Sequence, residues 1–86
     1  MPRISHFFGI TILMYVRDHL PPHFHARHGD FEAQVSLLTF ELLEGRLPPR
    51  VTGLVLEWAT LHRQELMDNW ERARRRMPLS QIAPLR

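Results

Sequence analysis

His23-Phe24-His25-Ala26-Arg27-His28-Gly29-Asp30-Phe31-Glu32-Ala33-Gln34-Val35-Ser36 reads as a β-hairpin turning on Gly29-Asp30. Counting back from those two loop residues pairs His28 with Phe31, Arg27 with Glu32, Ala26 with Ala33, His25 with Gln34, Phe24 with Val35 and His23 with Ser36. One face then collects Phe24, Ala26, Phe31, Ala33 and Val35, all apolar. The other collects His23, His25, Arg27, Glu32, Gln34 and Ser36, all polar. A slip of one residue would mix the two sets, so the pattern itself fixes the register. Arg27 and Glu32 become an opposite-charge cross-strand pair. His23 and His25 point the same way, about 7 Å apart along the strand.

Upstream, Ile4 to Phe8 and Ile10 to Val16 are rich in β-branched and aromatic residues and break at Gly9, giving two strands or one bent strand. Asp18-His19-Leu20-Pro21-Pro22 must be a loop, because the prolines cannot donate ladder bonds and hold their predecessors extended. Downstream, Thr39 to Leu43 reads as a further short strand closed by Glu44-Gly45. Pro48-Pro49 opens a helix. Its apolar positions are Val51, Leu54, Val55, Trp58, Leu61, Leu66 and Ala73, running to about Arg76, with a bend on the way and Pro78 as the stop. The expected fold is α+β: a small, mainly antiparallel sheet of three to five strands, followed by one long or bent helix on one face. It forms a single domain over 1–86, with a β-rich half at 1–44, a helical half at 48–76 and a tail at 77–86 that is packed or frayed.

The apolar share of 44% is ordinary for a globular protein and no run reaches a membrane span, so no membrane partner is expected. The start of the chain lacks a signal-peptide pattern, and there is no cysteine. Both point to a cytoplasmic protein held together by its core. All 11 basic side chains are arginine. Arginine grips phosphate and carboxylate bidentately, although arginine-rich codon usage would give the same composition. The run Arg72-Ala73-Arg74-Arg75-Arg76 either complements the helix dipole or contacts phosphates.

The histidines are the chemical signal. His19, His23 and His25 fall within seven residues, His28 follows, and His62 lies on the apolar stripe of the helix one turn past Trp58. Asn69 lies near the centre of that stripe and Glu65 near its edge, at ~100° per residue. Buried polar groups need partners, so His62 and Asn69 should face the hairpin's histidine face or the Asp18-His19 loop. The plain alternative for His62 is a core-edge histidine bonded to main chain. Three uses of the cluster follow. His23 and His25, with His62 or His19, could hold a divalent metal, zinc or iron, leaving a position open for water. The four candidate catalytic residues His19, His23, His25 and His62 could instead do metal-free acid–base work on a phosphodiester, with Arg27 and Arg63 as anion contacts. Or the polar face could dock a partner.

The run Met1-Pro2-Arg3-Ile4-Ser5 with Phe7-Phe8-Gly9-Ile10 resembles the start of a bacterial family, domain of unknown function 4160. Asp18-His19 through Pro21-Pro22-His23-Phe24-His25-Ala26, with Gly29, is similar to that family's central motif. Leu56-Glu57-Trp58-Ala59, Leu61-His62-Arg63, Glu65-Leu66 and Asn69-Trp70 resemble its helical half. His28 stands where an aromatic is expected. The resemblance implies a fold and no established activity. It also implies a component of a two-gene module like a toxin–antitoxin pair, with a cognate small protein encoded by a neighbouring gene. RNA or DNA is a candidate target and a homodimer a candidate assembly.

Overall fold

Five strands follow one another across one antiparallel sheet in chain order: β1 (Arg3–Phe7), β2 (Ile10–Leu13), β3 (His23–His28), β4 (Phe31–Ser36) and β5 (Leu42–Arg46). Two helices complete the chain, α1 (Pro49–Leu61) and α2 (Arg63–Arg74). This computed structural model describes residues 2–86; Met1, the first residue of the run quoted for the family resemblance, lies outside the described residues. The architecture is the expected α+β arrangement, and the β3–β4 register reproduces all six pairs counted from the sequence.

Two local features depart from expectation. Residues 37–39 form a turn and 40–41 lie outside the ladder, so β5 starts only at Leu42 and runs to Arg46. Ser36 is the cause: its Oγ accepts the N–H groups of Leu38 (3.0 Å) and Thr39 (3.2 Å), offering the backbone an alternative to the ladder. Gly45 therefore lies inside β5. Its φ is +75°, and a Cβ there would lie 2.1 Å from the Glu32 carbonyl oxygen, so only glycine fits opposite Ala33, two residues past the bulge at Leu43. The expected bend in the helical half falls at His62, whose φ −121° and ψ 27° leave the helical region and divide it into α1 and α2. The His62 ring rests 5.5 Å from that of Trp58, and its Nδ1 is 2.6 Å from Glu65 Oε1 in the first turn of α2.

The apolar face of the sheet meets α1 through Val51, Val55 and Trp58. Trp58 is the anchor, its ring 5.4 Å from Phe7 and 5.9 Å from Phe24. Its indole N–H, buried and needing an acceptor, donates to the Ala83 carbonyl at 2.8 Å. The tail is thereby packed: Ile82 and Leu85 are buried, and the Ile82 N–H donates to the Ile4 carbonyl at 2.8 Å along the outer edge of β1.

Helix α2 sets up the site. It starts where Arg63 stacks over the Phe40 ring (4.3 Å to the centroid). It passes Trp70 against His23 and ends where the Ala73 carbonyl accepts the Arg17 N–H at 3.3 Å. It thus closes the end of the sheet at which β3 begins. Among the described residues no helix is long and apolar enough to cross a membrane.

Candidate metal centre

Strand alternation sends Phe24 and Ala26 to the core and His23 and His25 to the opposite face, as the hairpin pattern requires. That face is covered here. Tyr15 meets His25 edge-on at 4.7 Å, Trp70 lies 5.6 Å from His23, and both imidazoles are buried. The loop between β2 and β3 then folds Asp18 back over them.

The Asp18 carboxylate is the hub. Its Oδ1 accepts the His19 backbone N–H at 2.8 Å, which turns Oδ2 inward. His25 Nε2 lies 2.9 Å from Oδ2 and hydrogen-bonds to it. His23 Nε2 lies 3.1 Å from the same oxygen, yet it is off-line and makes no hydrogen bond. At its other nitrogen His23 is fixed: Nδ1 is 2.7 Å from the Pro21 carbonyl oxygen. A carbonyl only accepts, so Nδ1 carries a hydrogen, and Nε2 is left buried without a hydrogen-bond partner. A buried imidazole nitrogen 3.1 Å from a carboxylate oxygen stays unsatisfied unless a proton or a metal ion lies between or beside them.

A further carboxylate stands behind His25. Its Nδ1 is 3.4 Å from Glu32 Oε2, again off-line, and Glu32 Oε1 accepts the Arg27 Nε–H at 3.1 Å. That ion pair raises the Arg27 pKa above its ordinary value, its hydrogen bond with Glu32 acting first. For Asp18, burial pushes the pKa up. The His25 hydrogen bond, the His19 N–H and the positive field of His23 and His25 outweigh it, so the carboxyl is held below its ordinary range and is ionised at neutral pH.

Asp18, His23 and His25 each offer a ligand atom, and these lie within 4.8 Å of one another. The separations of Asp18 Oδ2 from the two Nε2 atoms, 2.9 and 3.1 Å, match the spacing of neighbouring ligands around a divalent ion with bonds of about 2.1 Å. Two imidazoles and one carboxylate make a donor set suited to zinc, iron or manganese that leaves further positions open. Solvent reaches the cluster from the loop side: the His23 side chain is 0% exposed, Asp18 16% and His19 62%.

The expected site residues are thus only partly assembled. His23 and His25 converge as expected, and His19 stacks on His23 at 4.9 Å with Nε2 3.6 Å from Asp18 Oδ1. His62 does not join them, being held by Glu65 and Trp58. Arg27 is occupied by Glu32 and Arg63 by Phe40, so neither anion contact expected from the sequence faces the cluster. Asn69 is bonded to main chain rather than to histidine: Nδ2 donates to the Ser80 carbonyl and Oδ1 accepts the Ser80 N–H, both at 2.8 Å. The residue that sequence reasoning missed is Asp18. Its signal was its place five residues before His-x-His, across a loop that two prolines fold back.

The family model described as Domain of unknown function (DUF4160) matches residues 9–71, and the chain belongs to that family. That stretch includes β2 to β5, α1, most of α2 and all three cluster residues. No curated protein and no solved structure matches the chain.

Proposed function

We propose that this protein is a small metal-dependent hydrolase of phosphodiesters, its divalent ion held by Asp18 Oδ2, His23 Nε2 and His25 Nε2. One observation carries the reading: the buried His23 Nε2, whose tautomer is set by Pro21, has no hydrogen bond and faces an ionised carboxylate. Three protein ligands leave room for water, as in catalytic rather than structural sites. Such an ion supplies a water acidified toward neutral pH and polarises a phosphoryl oxygen. The chain's own contributions are the pre-set ring of His23, the Glu32 carboxylate behind His25, and the exposed His19 at the mouth as a proton carrier. Metal-free catalysis by paired histidines is less well supported, because both Nε2 atoms converge on one oxygen instead of flanking a substrate. The protein purified without chelator should retain close to one equivalent of zinc, iron or manganese and cleave bis(p-nitrophenyl) phosphate or RNA. His23→Ala should release the metal and end cleavage. Absence of both metal and cleavage in the parent protein would sink the proposal.

A second reading is favoured by a specific surface. The Leu37 N–H donates to the Pro22 carbonyl at 2.9 Å, placing the two loops side by side, and these carry the exposed Leu20 and Leu38 next to His19. Two leucines in water at the mouth of the site suit a protein partner. We read this as the docking point for the cognate product of a neighbouring gene in a cytosolic, toxin–antitoxin-like module. Mixing the two purified proteins should give a stable complex that Leu20→Glu with Leu38→Glu disrupts.

A further inference from the structure

The opposite end of the sheet carries a second set of residues, unrelated to the metal cluster and separated from it by the length of β3, roughly 17 Å. Phe8, His28, Arg50, Val51 and Leu54 line a cavity of about 310 Å³. His28 faces Phe31 across the hairpin, and the Arg46 guanidinium lies 5.5 Å from the centre of the Phe31 ring. Aromatic and cationic groups therefore alternate around one rim: Phe8, Arg50, His28, Phe31, Arg46.

One feature sets this rim apart from ordinary surface, and unpaired charge accompanies it. Among the described residues neither Arg46 nor Arg50 is paired with a carboxylate, as holds for every arginine but Arg27 and Arg74. Asp30 at the hairpin turn is the acid of this end, and Glu32 next to it on β4 is engaged by Arg27. Phe8 is stranger. It occupies the first position of a two-residue turn between β1 and β2 with φ +50°, followed by Gly9 at φ +75°. That conformation favours asparagine or glycine and is adverse for a bulky aromatic. Its ring is nonetheless 60% exposed, so the strain is not repaid by burial. A large aromatic that is both strained and exposed marks a place where a ligand could be met.

We propose that this rim binds single-stranded nucleic acid, with Phe8 offering a stacking face to a base and Arg50 neutralising phosphate, while Arg46 lies over the half-buried Phe31 beside them. An unpaired cation next to an exposed ring calls for a ligand with both negative charge and flat apolar groups. A single strand supplies that repeat, whereas a duplex hides its base faces. His28 donates from Nδ1 to the Gly9 carbonyl at 3.2 Å, which leaves Nε2 as a further polar group of a residue lining the cavity.

The test is fluorescence anisotropy with a labelled twelve-nucleotide oligouridylate in low salt and EDTA, so that the outcome is independent of the metal. The parent protein should bind the single strand more tightly than a duplex of the same length. Phe8→Asn suits the turn better than phenylalanine and should fold at least as well, yet weaken binding five- to a hundredfold. Arg50→Gln should weaken it several-fold and reduce the slope of log K against log salt by about 0.7. No binding in 50 mM salt would overturn the proposal, as would binding indifferent to both substitutions. So would a complex with the neighbouring gene product that these substitutions abolish while oligouridylate fails to bind, because the rim would then be a protein interface.

Discussion

Two histidine–carboxylate arrangements in this molecule look alike on paper and differ in physics. On the helical side His62 meets Glu65 three residues away at 2.6 Å, with the Glu65 side chain 53% exposed. On the sheet, His23 and His25 from one strand meet Asp18 from the loop that precedes it, and both rings are buried. The first pair is local, formed by the start of α2, and its carboxylate is open to water. The second closes a buried cluster, in which His23 Nε2 has no hydrogen-bond partner. Proximity of rings to carboxylates is a weak signal of a site. Burial of several ligand-type atoms together with incomplete satisfaction is a stronger one.

The sharpest way to break this comparison is metal affinity. Asp18→Ala should lower zinc affinity by more than a hundredfold in calorimetric titration, whereas Glu65→Ala should leave it within twofold. Equal losses would mean that the cluster is not the binding site. Next in size is Glu32→Gln. If Glu32 orients His25 from behind, its charge supports the ligand without touching the ion, and its loss should weaken zinc binding about tenfold. Folding of that variant, followed by circular dichroism, should stay close to that of the parent, because Glu32 is a partly exposed residue of the polar face.

Most of the fold was legible because the hairpin repeats one rule six times. Alternation from His23 to Ser36 permits only one register without mixing polar and apolar faces. The candidate site was legible only where it used that alternation, at His23 and His25. Asp18 could not be placed, because a proline-closed loop has no period from which direction can be read. His62 misled for a related reason. Its position on the apolar stripe assumed one continuous helix, and the chain breaks at that residue, leaving the ring on Trp58 and Glu65. Asn69 truly lies inside, but its partner is the main chain of Ser80, and backbone leaves no trace in side-chain pattern.

Acid separates the two arrangements more gently. The folded pKa of Asp18 lies below its unfolded value of about 3.9, so the folded state binds fewer protons there. The stability this supplies is fully present above the unfolded value and is lost as pH falls through the folded one. Urea midpoints measured from pH 6 down to pH 2.5 should therefore fall less steeply in Asp18→Asn than in the parent. The metal-free proteins are the right comparison, since a bound ion would add its own pH dependence.

The smallest expected effect lies at the exposed pair. Glu65→Gln keeps the shape of the side chain and the His62 ring on Trp58, and removes only a charge at the first turn of α2. That charge gains from His62 when protonated and from the helix dipole, both in contact with water. The cost in urea denaturation should be about 1 kcal/mol or less, and it should nearly vanish in 1 M salt. A larger loss that salt leaves untouched would mean that the His62–Glu65 contact behaves as a buried one. The break between α1 and α2 would then be a second place where the fold holds an imidazole against a carboxylate out of reach of solvent, and the contrast with Asp18 would fail.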